Sequence, residues 1–149
     1  MSSYFWKPWG LLLLVVWLRS SESSAQADAS DIYAVATPSE STIIIVDAQG
    51  RLLRTTDGRS FVVSSLTDVP MYGVSFANAN VGIAVGDSGA LFRSSDGGET
   101  WTRQDSGTIN PLLSVSLVDE NIATVVGFQG TILRTVDGGA TWMPQELAG

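Results

Sequence analysis

The chain has 149 residues and a formal net charge of −7, and it contains neither cysteine nor histidine. Such acidity argues against a nucleic acid partner, because an acidic surface repels the phosphate backbone. Without cysteine there can be no disulfide, and without histidine the commonest general base and metal ligand is missing.

The N-terminus has the pattern of an export signal. Lys7 supplies a positive charge, an apolar stretch follows over residues 9–18, and Ala25-Gln26-Ala27 fits an A-x-A cleavage site. We therefore predict a signal peptide over residues 1–27 and one domain over residues 28–149. An uncleaved N-terminal anchor is the alternative, although the apolar stretch is shorter than the roughly 20 residues of a membrane span.

The rest of the chain repeats itself. Asp57, Asp96 and Asp137 recur at a spacing of about 40 residues, and a period of this length indicates a repeat architecture. Segments 93–101 and 134–142 are near copies of each other, and segment 54–61 is a weaker copy.

Alternating apolar residues between Gly, Asp and Asn turns predict four short strands in each repeat. In chain order, the strands are predicted over 32–36, 41–46, 51–55 and 61–63, then 72–76, 81–86, 90–94 and 100–104, then 113–117, 122–127, 131–135 and 141–143.

Four short strands per repeat of this length are typical of a β-propeller blade. We therefore predict an all-β fold, a partial β-propeller of three four-stranded antiparallel blades at about 31–65, 71–105 and 111–146. A β-sandwich is the alternative, but it gives no reason for one turn to recur at a fixed period.

The repeated turn suits a hairpin between the third and fourth strands. Its aspartate can accept hydrogen bonds from nearby backbone N–H groups, its glycines permit positive φ, and its tryptophan can pack beneath the hairpin. We interpret as structural Asp57 in the first repeat, Ser94, Asp96, Gly98, Thr100 and Trp101 in the second, and Thr135, Asp137, Gly139, Thr141 and Trp142 in the third.

The first copy of the turn departs from the other two. It lacks the second glycine, is one residue shorter, and has Ser60-Phe61 where the others have Thr-Trp. We expect this turn to be looser, and these departures leave its hydrogen bonding open.

The turn resembles the Asp-box, or BNR repeat, of sialidases, sortilin-like receptors, some glycosidases and the photosystem II stability/assembly factor-like family. The longer string V-G-x-x-G-x-h-h-R-T-x-D-G-G-x-T-W, where h is apolar, runs over residues 126–142 and largely recurs over 85–98. This string resembles the photosystem II family, and the resemblance covers essentially all of residues 31–146.

That family consists of exported, non-enzymatic propellers. In oxygenic phototrophs they bind a reaction-centre subunit during photosystem II assembly, and similar sequences occur in non-photosynthetic bacteria. The resemblance implies a scaffold without cofactors that binds a protein partner, such as a membrane-protein subunit. It implies a location in the periplasm, another extracytoplasmic compartment or the thylakoid lumen.

An enzyme of the sialidase or glycosidase type is the alternative function. A sialidase needs an arginine cluster and a tyrosine nucleophile, and neither Tyr33 nor Tyr72 lies in such a motif. Asp119 and Glu120 are adjacent in a predicted turn, which suits solubility better than a catalytic carboxylate pair. We predict no catalytic residue.

Arg54, Arg93 and Arg134 are the candidate binding residues, because each precedes its turn at the equivalent position. Three guanidinium groups arrayed in this way can engage carboxylates of a partner. The alternative is that each pairs with a neighbouring acid or covers the third strand with its stem. Asp47 and Asp87 form no cluster of oxygen ligands in the sequence, so we predict no metal.

Three blades are fewer than the roughly four to eight of a closed propeller. Three alternatives follow. The chain is part of a longer propeller, it forms a homo-oligomer that completes a ring, or it stands alone as an open array.

Overall fold

The computed structural model describes residues 30–146, which form three four-stranded antiparallel sheets, each a meander in chain order. Unit 1 contains β1 (Ile32–Ala36), β2 (Ile43–Asp47), β3 (Arg51–Thr55) and β4 (Val62–Ser65). Unit 2 contains β5 (Met71–Phe76), β6 (Gly82–Gly86), β7 (Leu91–Ser94) and β8 (Thr102–Arg103). Unit 3 contains β9 (Leu112–Leu117), β10 (Ala123–Gly127), β11 (Ile132–Thr135) and β12 (Met143–Pro144).

These sheets confirm the all-β prediction, because each coincides with one sequence repeat. Apart from the strands, two single 3-10 turns occur in the described part, Asp87–Gly89 and Phe128–Gly130, each between the second and third strands of its unit. No helix within residues 30–146 is long and apolar enough to span a membrane. The predicted signal peptide lies outside the described residues.

The three sheets are arranged side by side with their first strands together. Strand β1 lies against β5, and β5 lies against β9. The apolar core is divided between the two junctions, as expected when each repeat packs only against its neighbours. This arrangement excludes a two-sheet sandwich.

The first junction joins units 1 and 2. Ile44, Val46 and Leu52 of unit 1 are almost fully buried there against Met71 and Phe92 of unit 2. The second junction joins units 2 and 3 through a separate cluster of buried residues, which comprises Ile83, Val85, Leu91, Leu112, Val115, Ala123, Val125, Leu133 and Trp142.

Successive side chains in a strand point to opposite faces of the sheet, so each end unit has one face outside the junctions. The open face of unit 1 carries Val35, Ile43, Ile45, Leu53 and Val63. The open face of unit 3 carries Ser114, Ser116, Thr124, Val126, Ile132, Arg134 and Met143.

Candidate interaction surfaces

The aspartate turns of units 2 and 3 are closed by the same hydrogen bonds. Asp96 Oδ1 accepts hydrogen bonds from the Ser94 hydroxyl at 2.8 Å and the Thr100 N–H at 2.9 Å, and Oδ2 accepts one from the Thr100 hydroxyl at 2.5 Å. Asp137 makes the equivalent bonds at 2.7, 3.0 and 2.6 Å. These bonds, chiefly from the threonine hydroxyl, lower the pKa of each carboxyl to about 2.

The first aspartate turn closes more completely than expected. Asp57 Oδ1 accepts hydrogen bonds from the Thr55 hydroxyl at 2.8 Å and from the N–H groups of Arg59 at 2.8 Å and Ser60 at 2.9 Å. The Ser60 N–H contributes most to lowering the pKa of this carboxyl to about 2. The hydrogen bonding that the sequence left open is thus made, because the backbone of the shorter loop still reaches the carboxylate.

The two tryptophans of the turns pack into the junctions. Trp142 is 9% exposed in the second junction, and its Nε1–H donates to Gln104 Oε1 of unit 2 at 3.4 Å. Trp101 is half-buried at the first junction, where its ring meets Phe76 edge-on at 5.9 Å between centroids. Both indole groups therefore pack between neighbouring units.

Two of the candidate arginines reach across a junction. Arg54 of unit 1 donates from Nε to the Gly97 carbonyl of unit 2 at 3.0 Å, and its Nη2 lies 3.3 Å from Glu99 Oε1. Arg93 of unit 2 donates from Nη2 to the Glu120 carbonyl of unit 3 at 3.1 Å. These side chains connect each unit to the next one along the chain.

The third arginine lies on the open face of unit 3. Arg134 donates from Nη1 to the Thr124 hydroxyl of the neighbouring strand at 3.3 Å. The structure thus places the three arginines at equivalent positions, as predicted, but only Arg134 belongs to an end face. Binding of a partner by these arginines stays a prediction.

The acidic residues considered as catalytic or metal-binding candidates have structural contacts. Asp119 Oδ1 accepts two backbone N–H groups of its own turn, both at 2.8 Å, and Glu120 accepts the Asn78 side-chain amide at 2.7 Å. Within the described part of the chain, no three acidic side chains come together as metal ligands would.

Asp47 is held by Arg51 beside the turn that follows β2. The carboxylate is 1% exposed and lies 2.7 Å from Arg51 Nε. Burial acts to raise its pKa, but hydrogen bonds from the Arg51 N–H and side chain, from Ser30 and from Gln49 outweigh it, so the pKa is lowered. The pair fixes this turn to β3.

Bulges in the first strands create a surface that the sequence motifs did not reveal. In each unit the pairing register skips one residue of the first strand, at Tyr33, Tyr72 and Leu113. We call these three residues the inner row. The Tyr33 and Tyr72 rings lie 5.3 Å apart, and Tyr33 and Leu113 are 47% and 37% exposed.

Burial, followed by the nearby Asp87 and Tyr33, raises the pKa of the Tyr72 phenol, so this group stays neutral at physiological pH. The inner row thus offers aromatic and apolar contacts that recur from unit to unit. Tyr33, Tyr72 and Leu113 occupy equivalent positions in the three sequence repeats, and this equivalence could have revealed the inner row. The change from tyrosine to leucine in the third repeat hid it.

The arrangement of the three sheets matches parts of solved structures. The fold is that of a β-propeller. A structure of YCF48 bound to a D1 peptide matches with a TM-score of 0.70 and 24% identity over 78% of this chain and 41% of that chain. YCF48 from Cyanidioschyzon merolae matches with a TM-score of 0.67 and 24% identity over 77% of this chain and 37% of that chain.

An ancestral GH74 enzyme also shares the propeller fold, with a TM-score of 0.63 and 22% identity over 79% of this chain and 18% of that chain. No protein-family model and no curated protein sequence matches the chain. The chain spans less than half the length of the propellers named here, so a partial propeller is confirmed. The resemblance inferred from the turns is confirmed at the level of the fold, because the YCF48 structures share it.

Proposed function

We propose that this chain is an exported, non-enzymatic propeller scaffold that binds a protein partner during assembly or stabilisation of a membrane complex. The observation that carries the proposal is the likeness to YCF48, a propeller that has been solved with a D1 peptide bound. This function needs a rigid surface, and three packed sheets supply one.

The inner row is the surface that best fits a peptide. The exposed Tyr33 and the half-buried Tyr72 form an aromatic pair, and Leu113 continues the row in unit 3. Aromatic side chains on rigid strands give large contact areas at low entropic cost. The aspartate turns are less suitable, because their carboxylates already accept several local hydrogen bonds.

A carbohydrate-active or carbohydrate-binding protein is the second candidate. It is favoured by the match to a GH74 enzyme, which shows that this fold also supports glycoside chemistry. A glycan array separates the two candidates, because selective binding of one glycan class would favour the second.

A binding experiment with an immobilised D1 peptide tests the first candidate. We expect saturable binding by the full chain, loss of most of it in Tyr33→Ala/Tyr72→Ala, and no change in the surface control Val118→Ala, which alters a residue 73% exposed in a turn. A triple variant of Arg54, Arg93 and Arg134 to alanine tests the arginine prediction, provided that circular dichroism shows an intact fold. Wild-type binding no stronger than to a scrambled peptide would contradict a YCF48-like role.

Export is part of the same proposal. The pattern of residues 1–27 supports delivery to the periplasm, another extracytoplasmic compartment or the thylakoid lumen. Fractionation of the native host, with the N-terminus of the product sequenced, is expected to give an extracytoplasmic protein beginning at Asp28. A cytoplasmic protein that retains residues 1–27 would refute this part.

A further inference from the structure

We propose that the open face of unit 3 binds the open face of unit 1 of a second copy of this chain, head to tail. The partner is therefore another propeller segment with the same repeat. This association is independent of the peptide-binding function, because it uses the end faces and leaves the inner row uncovered.

The first argument is that Arg54 and Arg93 each reach a backbone carbonyl of the next unit, although only the Arg54 acceptor lies within an aspartate turn. Arg54 donates to a carbonyl in the aspartate turn of unit 2, and Arg93 donates to the Glu120 carbonyl beside the aspartate turn of unit 3. Arg134 has the equivalent place in its strand, opposite Thr124 as Arg54 is opposite Ile44. A further unit packed on unit 3 as unit 2 packs on unit 1 would place its aspartate turn against Arg134, as the turn of unit 2 meets Arg54.

Unit 1 has retained the acceptor that this contact requires. Gly58 occupies the position of Gly97 after the turn aspartate, and the two have nearly the same φ, +69° and +73°. Space beside Gly58 is open, whereas Gly97 is packed against the turn after β5. The carbonyl of Gly58 in a second copy therefore provides the acceptor for Arg134.

The apolar residues of the two end faces are the second argument. On unit 3, Val126 and Met143 are 42% and 62% exposed, and on unit 1, Val35 and Val63 are 61% and 48% exposed. At the positions that correspond to Val126 and Val35, unit 2 has Val85 and Val74, which are 0% and 9% exposed because another sheet covers them. Covering both end faces at once removes this apolar surface from water.

Two copies form a closed ring when the open face of unit 3 in each copy binds the open face of unit 1 in the other. A twofold axis then relates the copies, and their six units fall within the range of propeller rings. If the rotation between units does not close after six, the same contact continues into longer oligomers. Either product distinguishes the proposal from a monomer.

Light scattering during size-exclusion chromatography tests the association. The full chain, purified as the host processes it and with its mass recorded, is expected to elute at twice its monomer mass or more at about 100 μM. We expect Val126→Glu to elute as a monomer, since a carboxylate would be buried without a partner. The matched control Ile109→Glu, at a linker residue 85% exposed and on neither end face, is expected to behave as wild type.

Arg134→Ala is expected to weaken self-association about tenfold, as the loss of a charge-assisted hydrogen bond predicts. Mixing two variants tests the direction of the contact. Val126→Glu blocks the open face of unit 3 and Val35→Glu that of unit 1, so each alone should be monomeric while an equimolar mixture regains a dimer through the two intact faces.

A monomeric wild-type chain at this concentration would overturn the proposal, as would dimers that survive in Val126→Glu with native circular dichroism. A mixture that stays monomeric would overturn the head-to-tail geometry. Failure here leaves D1 peptide binding unaffected, and failure of peptide binding leaves the oligomeric state unaffected, so the two results are separable.

Discussion

Asp137 illustrates how the turn residues act as local clips. Its carboxylate is exposed, yet it holds the Thr135 hydroxyl and both the N–H and hydroxyl of Thr141. Acid, hydroxyl and aromatic residues in one motif suggest chemistry at first sight. The carboxylate and the two threonine hydroxyls are instead hydrogen-bonded to one another, and these bonds stabilise the hairpin between β11 and β12.

Acid should weaken this clip. The pKa of Asp137 is about 2 in the folded chain against an ordinary value of 3.8, so its contribution is complete above about pH 4 and is lost as the pH falls towards 2. We expect Asp137→Asn to melt at a lower temperature at pH 7 and to lose less on acidification between pH 5 and pH 2 than the wild type. Thermal melts followed by circular dichroism measure both effects.

Asp68→Asn is the control, because Asp68 is exposed and lies outside the aspartate turns. Its melting temperature should follow the wild type throughout. An Asp137→Asn protein with the full pH dependence of the wild type would contradict the structural role of the carboxylate.

At the scale of elements, the linker between β8 and β9 is fixed to the turn between β6 and β7. The buried Ser106 hydroxyl donates to the Gly89 carbonyl at 2.8 Å. A side chain on Gly89 would place its Cβ 1.9 Å from the Thr108 carbonyl oxygen. The backbone of the linker and the turn are therefore in direct contact, which sets the position of unit 3 relative to unit 2.

Two glycines with the same backbone angle test this contact. Gly89 and Gly107 have φ of +69° and +70°, but nothing lies within 4 Å of a Cβ on Gly107. Gly107→Ala should cost about 1–2 kcal/mol of unfolding free energy from the left-handed conformation alone. Gly89→Ala should cost clearly more, because the backbone must also move, and urea unfolding measures the difference. Equal losses would show that the linker is not held as described.

At the scale of the whole molecule, the stability of the described part resides in the two junctions. Each junction has its own buried cluster, and the middle unit contributes to both. Strand β2 shows the contrast between faces within two residues: Ile44 is fully buried in the first junction, whereas its neighbour Ile45 lies half-buried on the open face of unit 1.

Truncation of these neighbours should therefore have unequal effects. We expect Ile44→Ala to lower the free energy of unfolding by about 2–5 kcal/mol, the usual cost of a buried cavity. Ile45→Ala should cost less than half as much in urea unfolding at a concentration where the chain is monomeric. Similar losses for both would mean that the open face is covered by another part of the chain.

Much of this architecture is predictable from the sequence, because the period of Asp57, Asp96 and Asp137 fixes the unit and the alternating apolar residues fix its strands. The role of the three arginines is not predictable in this way, because the sequence shows that their positions are equivalent but not towards which sheet each side chain points. The inner row is also hidden, because the bulges that extrude Tyr33 and Tyr72 arise from pairing register. Such features depend on contacts between elements, which no local pattern encodes.

The positions of the two tryptophans allow the unfolding of each junction to be followed by fluorescence. Trp101 lies at the first junction and Trp142 at the second, and they are the two indoles within the described residues. Each junction therefore carries its own fluorophore. With Trp6, Trp9 and Trp17 also replaced by phenylalanine, replacing either junction tryptophan leaves an emission signal that reports the opening of a single junction, so the order in which the array comes apart can be read directly.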